Sequence, residues 1–204
     1  CDGDGFSVIA TRDRAGAPLS TGICGTCGLI RHTEMPSAEE LEAFYRESYR
    51  REYHGEETPS PRRVVRAWRR GQALYRRLKP FANPGGRVFE VGAGLGLNLK
   101  PFQLAGVAAA GIEPNESFGG YSRDVLHTDV RQGRLEDVSA EPVHDLVLFA
   151  HVIEHMRSPR AALELIGERL LAPDGSIYLE CPNVGAPFAR PSKLFHRAHI
   201  FNFT

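Results

Sequence analysis

Residues 151–156 read HVIEHM and place two histidines and a glutamate in the order H-x-x-E-H. On a long helix this spacing puts both imidazoles on one face, where they can bind zinc for peptide hydrolysis. Here an apolar, strand-like run, DLVLFA, comes directly before the motif, and Ser158-Pro159 interrupts any helix soon after it. The context therefore argues against a peptidase and assigns the motif to the end of a strand.

A second group of residues with chemical potential lies in FEVGAGLGLN, residues 89–98, where a predicted strand enters G-x-G-x-G. Glycines allow a sharp turn and a close approach of a ligand to the backbone. Glu113 ends the next predicted strand, where a carboxylate can accept hydrogen bonds from the hydroxyls of a ribose. The dinucleotide fingerprint needs a glycine at position 97, which is leucine, and Glu90 would repel a pyrophosphate. The pattern favours an adenosine ligand with a cationic amino-acid end.

At these residues the chain resembles the class I S-adenosylmethionine-dependent methyltransferases. The resemblance extends over roughly residues 85–204, and its order and spacing are specific. The segments that carry it are EVGAGLG (90–96), GIEPN (111–115), GRLED (133–137), DLVLFAHVIEHM (145–156), LLAPDGSIYLECPN (170–183) and AHIFNF (198–203).

The resemblance assigns parts of the cofactor to particular residues. Glu113 would bind the ribose, and Leu135 and Glu136 would lie beside the adenine, although many relatives have Asp where this chain has Arg134. Ala150 and His151 would lie beside the cofactor at the carboxyl end of the fourth strand. The residues facing the methionine portion would be Glu90, Gly92, Gly94 and Gly96.

The histidines supply candidates for acid-base chemistry and for metal binding. Methyl transfer to a hydroxyl or an activated carbon benefits from a base, for which His199 is the first candidate, followed by His155 and His196. Some small-RNA and quinone-pathway O-methyltransferases hold a divalent metal with E-x-x-E-H at this place, but here His151 replaces the first glutamate. We therefore predict a neutral, metal-free His151 on the acceptor side of the site.

A cysteine motif, CGTCG, lies in a turn-rich, β-like segment near the start of the chain. Cys24 and Cys27 with a following glycine fit a metal knuckle, in which backbone N–H groups point at thiolate sulfur. A structural zinc ion is predicted, with Cys1 as a third ligand and His32 or His54 as further candidates. A ribbon of this kind before a P-S-x-E-E-L helix resembles the layout of some methyltransferases that act on sugars and other metabolites.

Two helices precede the glycine loop. Ser37 and Glu40 form a capping box at the start of the first, and the second is predicted over residues 61–78. Arginines cover much of the second helix, which indicates either a solvated face or a surface for RNA. Because Lys plus Arg and Asp plus Glu both number 25, no overall field attracts a polyanion, and the solvated face is favoured.

The elements from residue 87 onward alternate between strands and helices, which predicts an α/β, Rossmann-like, mostly parallel and doubly wound sheet. The strands are predicted at residues 87–91, 108–113, within 125–135, at 145–150 and at 176–182, with helices at 97–105, near 117–123 and at 159–171. The predicted domains are a ribbon-like module (1–35), a helical segment (36–80) and a cofactor-binding domain (81–204) that is cut at its C-terminal end.

The predicted function is S-adenosylmethionine-dependent O- or C-methylation of a sugar or other small metabolite by a cytoplasmic enzyme without a membrane anchor. Two alternatives stay open, an RNA 2′-O-methyltransferase and a non-catalytic adapter that uses the zinc module. Salt-dependent RNA binding would favour the first and absence of cofactor affinity the second.

Overall fold

The computed structural model describes residues 5–44, 58–82, 85–187 and 193–204. Two sheets organise these residues, one of five parallel strands and one of four antiparallel strands. Cys1, His54 and the part of the first predicted helix beyond residue 44 lie outside the described residues. No described helix is long and apolar enough to cross a membrane.

The larger sheet has the order β6-β5-β4-β7-β8, and all of its neighbouring strands run parallel. The order of the strands reverses between β4 and β7, and Glu90 of β4 is paired with Leu148 of β7. The predicted Rossmann-like class is confirmed. The strands are β4 (Arg87–Val91), β5 (Ala108–Glu113), β6 (Asp129–Gln132), β7 (His144–Ala150) and β8 (Leu171–Glu180).

Helices cover both faces of this sheet. On one face, Leu74 and Leu78 of α2 and Phe102 of α3 pack against Val88 and Leu148. On the other face, Ile166 of α5 packs into a cluster with Val147 and Phe149. The helices are α1 (Ala38–Ala43), α2 (Pro61–Leu78), α3 (Lys100–Leu104), α4 (Glu116–Asp124) and α5 (Pro159–Arg169).

The helix predicted from residue 97 begins only at Lys100. Gly92, Gly94 and Gly96 have φ angles of 70°, 56° and 65°, so every second residue of this turn has a left-handed φ value. A right-handed helix cannot begin until that turn has ended. The strand and helix assignments elsewhere in this region agree with the structure within a few residues, except that β8 starts five residues earlier than predicted, at Leu171 rather than residue 176.

The small sheet joins the two ends of the described chain. Its order is β1-β2-β3-β9, formed by β1 (Phe6–Arg12), β2 (Pro18–Cys24), β3 (Ile30–His32) and β9 (Phe201–Asn202). Ile30 pairs with Asn202, and the N–H of His32 donates to the carbonyl of Ile200 at 3.0 Å. The sequence indicated strands near β1 and β3, but not the participation of residues 201–202.

The 18-residue helix α2 lies directly on the segment that follows the glycine loop. A Cβ atom placed at Gly71 would collide with the carbonyl oxygen of Leu97 and approach Cα of Asn98 to 3.2 Å. The missing side chain at position 71 therefore sets how closely α2 can approach the loop.

We expect Gly71→Ala to destabilise the protein by about 1 to 3 kcal/mol, because the methyl group would separate two backbones that are in contact. Gly167→Ala in α5 is the matched control, since nothing lies within 4 Å of a Cβ there. The control should stabilise the protein by about 0.5 to 1 kcal/mol through helix propensity alone. Urea unfolding of both variants measures the difference, and equal effects would contradict the proposed close contact.

Candidate active site

A cavity of about 400 Å³ lies at the carboxyl ends of β4 and β7. Open parallel sheets bind ligands at such a position, where the order of the strands reverses. The sequence predicted seven of its lining residues as cofactor-binding or catalytic residues, and α2 contributes three arginines to the lining. The lining residues are Arg63, Arg66, Ala67, Arg70, Glu90, Gly92, Ala93, Gly94, Leu95, Leu97, Asn98, Phe118, Ala150, His151, Glu154, His155 and His199.

The glycine loop leaves room for a ligand at Gly94. Nothing lies within 4 Å of a Cβ placed there, and its positive φ disfavours any other residue. Gly96, in contrast, is placed away from the cavity, because a Cβ there would meet Ser122 and Thr128. Gly96 therefore serves the packing of the loop on α4 and the start of β6 in this structure.

Glu90 is a buried carboxylate that lines the cavity. Its Oε1 accepts a hydrogen bond of 2.6 Å from the side-chain amide of Asn98, while Oε2 has no partner among the described residues. Burial raises the pKa of Glu90 to about 8, opposed by Asn98 and by the positive charge of Arg70. A buried acid with one unused oxygen is suited to bind a cationic group of a ligand.

Glu113 lies next to the loop, at the end of β5. Its Oε2 accepts from the N–H of Gly94 at 2.8 Å, and Oε1 accepts from the N–H of Asn115 at 3.1 Å. These contacts orient Glu113 at the loop, and a carboxylate oxygen can accept more than one hydrogen bond. Ribose hydroxyls at the loop could still bind to it.

The two residues predicted beside the adenine lie in a 3-10 helix, Leu135–Asp137, that follows β6. Leu135 is buried in the cluster with Ile112 and Val147, whereas the side chain of Glu136 is exposed. Neither lines the cavity described above. Their contact with an adenine therefore stays a prediction.

His151 has a strained backbone, with φ of +58° in a residue that has a side chain. Glu180 holds it twice, since its carbonyl accepts from the His151 N–H at 2.7 Å and its Oε1 lies 3.0 Å from Nε2. Glu180 also accepts from the hydroxyl of Tyr178 at 2.7 Å and pairs with Arg70 at 3.2 Å. Although partial burial opposes the change, these partners keep the pKa of Glu180 below its usual value.

Glu154, His155 and His199 form a buried cluster at the same end of the cavity. Glu154 is 1% exposed, and neither of its carboxylate oxygens has a hydrogen-bond partner among the described residues. Nε2 of His155 and Nε2 of His199 each lie 3.8 Å from Oε1 of Glu154, and Nδ1 of His151 lies 3.6 Å from it. This buried carboxylate needs a proton, an imidazolium or a metal cation as a partner.

The two imidazoles of the cluster differ as bases. Burial, together with the neighbouring His196 and His155, lowers the pKa of His199 to about 2, so His199 stays neutral in the neutral pH range. His196, which contacts His199 with ring centroids 3.8 Å apart, also has a lowered pKa, about 3, mainly because it is buried. Both rings are therefore weak bases in the ligand-free protein, and the roles of His199 and His196 as proton acceptors stay predictions.

His155 has the more suitable geometry for a base. Its Nδ1 lies 2.7 Å from the carbonyl oxygen of Ala198, which can only accept a hydrogen bond, so Nδ1 carries the proton. In the neutral ring, Nε2 then has the lone pair and lies near Glu154, which would stabilise the imidazolium formed on protonation.

The same three side chains are a possible donor set for a divalent cation, because one ligand atom from each lies within 4.8 Å of the others. Imidazole nitrogen and carboxylate oxygen suit zinc and other first-row metals. A neutral imidazole such as His199 carries a lone pair on one ring nitrogen, which coordination requires. The residues present thus fit a cation as well as they fit acid-base chemistry.

The predicted cysteine knuckle adopts a tight turn after β2. The N–H of Gly28 donates to the carbonyl of Cys24 at 3.0 Å. Hydrogen bonds from the backbone of Cys27 and Thr26 lower the pKa of the buried Cys24 thiol, as expected where backbone N–H groups point at sulfur. The N–H of Gly25 donates to Gly5, so the chain just after Cys1 reaches the knuckle. Cys1 itself lies outside the described residues.

Sequence reasoning missed several residues of the site. Asn98 and Glu180 fix Glu90 and His151, and no local pattern marks either of them. The arginines that line the cavity could have been found from their spacing, because Arg63, Arg66 and Arg70 share one face of a helix that is followed by the glycine loop. The net charge of zero had instead favoured a solvated face for this helix.

A family model described as a methyltransferase domain matches residues 62–202. The chain therefore belongs to this methyltransferase family, and the prediction that it carries a methyltransferase domain is confirmed. The match covers α2 as well as the sheet, so the arginine-bearing helix is part of the family domain. A comparison with curated protein sequences found no match.

Similar solved structures agree with this fold. DesVI from Streptomyces venezuelae is 18% identical, with 60% of this chain and 54% of that chain covered and a TM-score of 0.50. An S-adenosylmethionine-dependent methyltransferase from Archaeoglobus fulgidus is 21% identical, with coverages of 66% and 57% and a TM-score of 0.48. The chain thus spans little more than half of each of these structures, and the identities support the fold alone.

The raised pKa of Glu90 predicts how stability depends on pH without a ligand. The folded protein disfavours the ionised form of Glu90. The contribution of Glu90 to the free energy of unfolding is therefore fully favourable below the pKa that Glu90 has in the unfolded chain, and it is lost as pH rises towards about 8. Glu90→Gln should remove this loss and stabilise the ligand-free protein by a few kcal/mol at about pH 8. Urea unfolding against pH measures the effect, with Glu168→Gln at an exposed position as control. If the free energies of unfolding of the wild type and of Glu90→Gln changed with pH in the same way, this prediction would be contradicted.

Proposed function

We propose that the protein transfers a methyl group from S-adenosylmethionine to a nucleophilic oxygen or carbon of a small molecule, a sugar or another metabolite, in the cytoplasm. The main support is that one cavity contains both a glycine loop with a buried acid and a carboxylate-imidazole cluster. The first suits the cofactor, and the second suits activation of an acceptor. S-adenosylmethionine supplies an electrophilic methyl group on a sulfonium.

The residues present fit this cofactor. Glu90 has an unused carboxylate oxygen for an ammonium group, and Gly94 leaves open space beside it. Glu113 would accept hydrogen bonds from the ribose, and Phe118 provides an apolar wall. Ala150 and His151 would border the reacting end, because they lie at the carboxyl end of β7.

The proposed proton acceptor is Nε2 of His155. The Ala198 carbonyl orients the ring, and Glu154 stabilises the positive charge that develops on it. His199 would act as a neutral neighbour that completes the cluster. His151, held by Glu180, would position the acceptor in line with the methyl group, and such positioning supplies much of the catalysis of group transfer.

A second candidate is cation-assisted O-methylation at the same place. The observation that favours it is the buried Glu154, whose two oxygens have no hydrogen-bond partner among the described residues while two imidazoles lie nearby. Glu154, His155 and His199 would then hold the cation. The RNA methyltransferase and the adapter are less favoured, because the arginines line the same cavity as the candidate cofactor residues.

The N-terminal turn is proposed to hold a structural zinc ion. Cys24 and Cys27 lie in one tight turn, and the chain near Gly5 approaches it, which is consistent with Cys1 as a further ligand. This zinc ion would be separate from the Glu154 cluster and would stabilise the small sheet.

Calorimetry with S-adenosylhomocysteine tests the proposed function, and we expect binding that is tighter than that of NAD. Glu113→Ala should weaken it by about 1 to 3 kcal/mol through lost charge-assisted hydrogen bonds, and Glu113→Gln should weaken it less. Glu116→Ala, an exposed acid in α4, is the control. Tighter binding of NAD would refute the proposal. A methylation screen of a metabolite library then identifies the acceptor.

Metal analysis of the purified protein separates the two donor sets. We expect about one zinc ion per chain, retained in Glu154→Gln and lost in Cys24→Ser, because the cysteine turn is the structural site. Cys181→Ser is the control for loss of a thiol outside the turn. A second equivalent of metal that disappears only in Glu154→Gln would favour the cation-assisted mechanism. Protein without metal and with a folded N-terminal sheet would refute the zinc proposal.

A further inference from the structure

The imidazole of His151 is held in one tautomer by Glu180. Partial burial raises the pKa of Glu180, but hydrogen bonds and charges from Tyr178, Arg70 and His151 lower it further, so its pKa is below the usual value. An ionised carboxylate can only accept hydrogen bonds. Nε2 of His151, 3.0 Å from Oε1 of Glu180, therefore carries the ring proton. In the neutral ring the lone pair is then on Nδ1.

The lone pair on Nδ1 of His151 lies on the side of the ring that faces Glu154. Nδ1 is 3.6 Å from Oε1 of Glu154, and both residues line the cavity at the carboxyl end of β7. The φ of 58° at His151 and the hydrogen bond from its N–H to the carbonyl of Glu180 fix the backbone that carries the ring. This end of the cavity therefore presents two electron-rich groups, an imidazole lone pair and a carboxylate.

Glu154 and Glu180 differ in how their charges are compensated. Glu180 pairs with the guanidinium of Arg70 at 3.2 Å. In the part of the chain that the structure describes, only imidazoles lie within ion-pair distance of Glu154. Burial and the neighbouring histidines lower the pKa of one of these imidazoles, His199, to about 2, so it supplies no positive charge at neutral pH. A carboxylate without a guanidinium or ammonium partner gives this end of the cavity a negative potential.

The proposed cofactor and the product left after methyl transfer differ by one charge. S-adenosylmethionine carries a sulfonium, whereas S-adenosylhomocysteine has a neutral thioether at the same atom. The adenine, the ribose and the amino-acid end are identical in the two molecules, so contacts with these parts contribute about equally to both affinities. The ratio of the two affinities therefore reports the environment of the sulfur atom.

We propose that Glu154 and His151, with His151 oriented by Glu180, select the cofactor by its charge and favour S-adenosylmethionine over S-adenosylhomocysteine. This inference rests on the proposed function, which places the reacting end of the cofactor beside Ala150 and His151. The proton that His155 accepts would replace the positive charge that sulfur loses, so Glu154 would face one positive charge before and after transfer. Weaker binding of the neutral product would then help its exchange for new cofactor.

Calorimetry on the full chain measures the dissociation constants of both molecules. We expect the wild type to bind S-adenosylmethionine about tenfold more tightly than S-adenosylhomocysteine. Glu154→Gln keeps the size of the side chain but removes its charge, and it should abolish most of this preference by weakening S-adenosylmethionine alone. His151→Asn is a second variant, because asparagine tolerates the positive φ, and it should reduce the preference about threefold. Glu168→Gln, at an exposed position, is the control.

Two variants of Glu180 separate its effect on His151 from a purely structural role. Glu180→Ala should reduce the preference as far as His151→Asn does, because the ring loses its hydrogen-bond partner. Glu180→Gln should retain most of it. Arg70 can only donate a hydrogen bond and therefore keeps the amide oxygen of the glutamine beside Nε2 of His151. Thermal melting shows whether each variant is folded.

Sinefungin, which has an ammonium group in place of the sulfonium, should follow S-adenosylmethionine in every variant. Equal affinities of the wild type for S-adenosylmethionine and S-adenosylhomocysteine would overturn the inference, as would equal losses for both in Glu154→Gln. Sinefungin that followed S-adenosylhomocysteine would assign the preference to the methyl group and reject selection by charge. Tighter binding of S-adenosylhomocysteine would also overturn the inference and would favour a cation bound at Glu154. If the wild type bound none of the three, the proposed function itself would be rejected.

Discussion

The parallel pairing of β4 with β7 is the constraint on which the site depends. It places the carboxyl ends of two strands side by side, although 57 residues lie between Glu90 and its paired residue Leu148 in the sequence. The glycine loop leaves the first strand, and HVIEHM leaves the second, so both segments border one cavity. The left-handed turns at Gly94 and His151 then direct the two loops around that cavity.

Two buried carboxylates give this cavity its electrostatic character. Glu90 and Glu154 are 2% and 1% exposed, and each has an oxygen without a hydrogen-bond partner among the described residues. A buried, incompletely bonded carboxylate is costly, so the fold supports each one with neighbouring polar groups, Asn98 for the first and imidazoles for the second. The two acids favour positively charged groups at two places in the cavity, whereas the arginines of α2 favour negatively charged groups at a third place.

The sequence predicted the helices and strands that follow from local periodicity. It did not predict the features that depend on contacts between residues distant in the chain. The strands of the parallel sheet, the capping box at Ser37 and the helix over residues 61–78 follow from short patterns. The delayed start of α3 follows a turn in which three alternate glycines have positive φ values, and composition alone does not specify these values. Residue roles in the cavity were harder, because burial shifts the pKa of His199 and a contact with Ala198 orients His155. Neither effect can be read from spacing.

The small antiparallel sheet connects the cysteine turn to the cluster of Glu154, His155 and His199. Cys24 ends β2, β2 pairs with β3, and β3 pairs with β9. Strand β9 begins two residues after His199. The carbonyl of Phe195 also accepts from the N–H of Arg14, so the segment that contains His196 and His199 is held from both sides by the N-terminal residues. A module that looks separate in sequence is therefore part of the frame around the acceptor end of the cavity. Because Ala198 orients His155, a disturbance of β3 would displace both imidazoles beside Glu154.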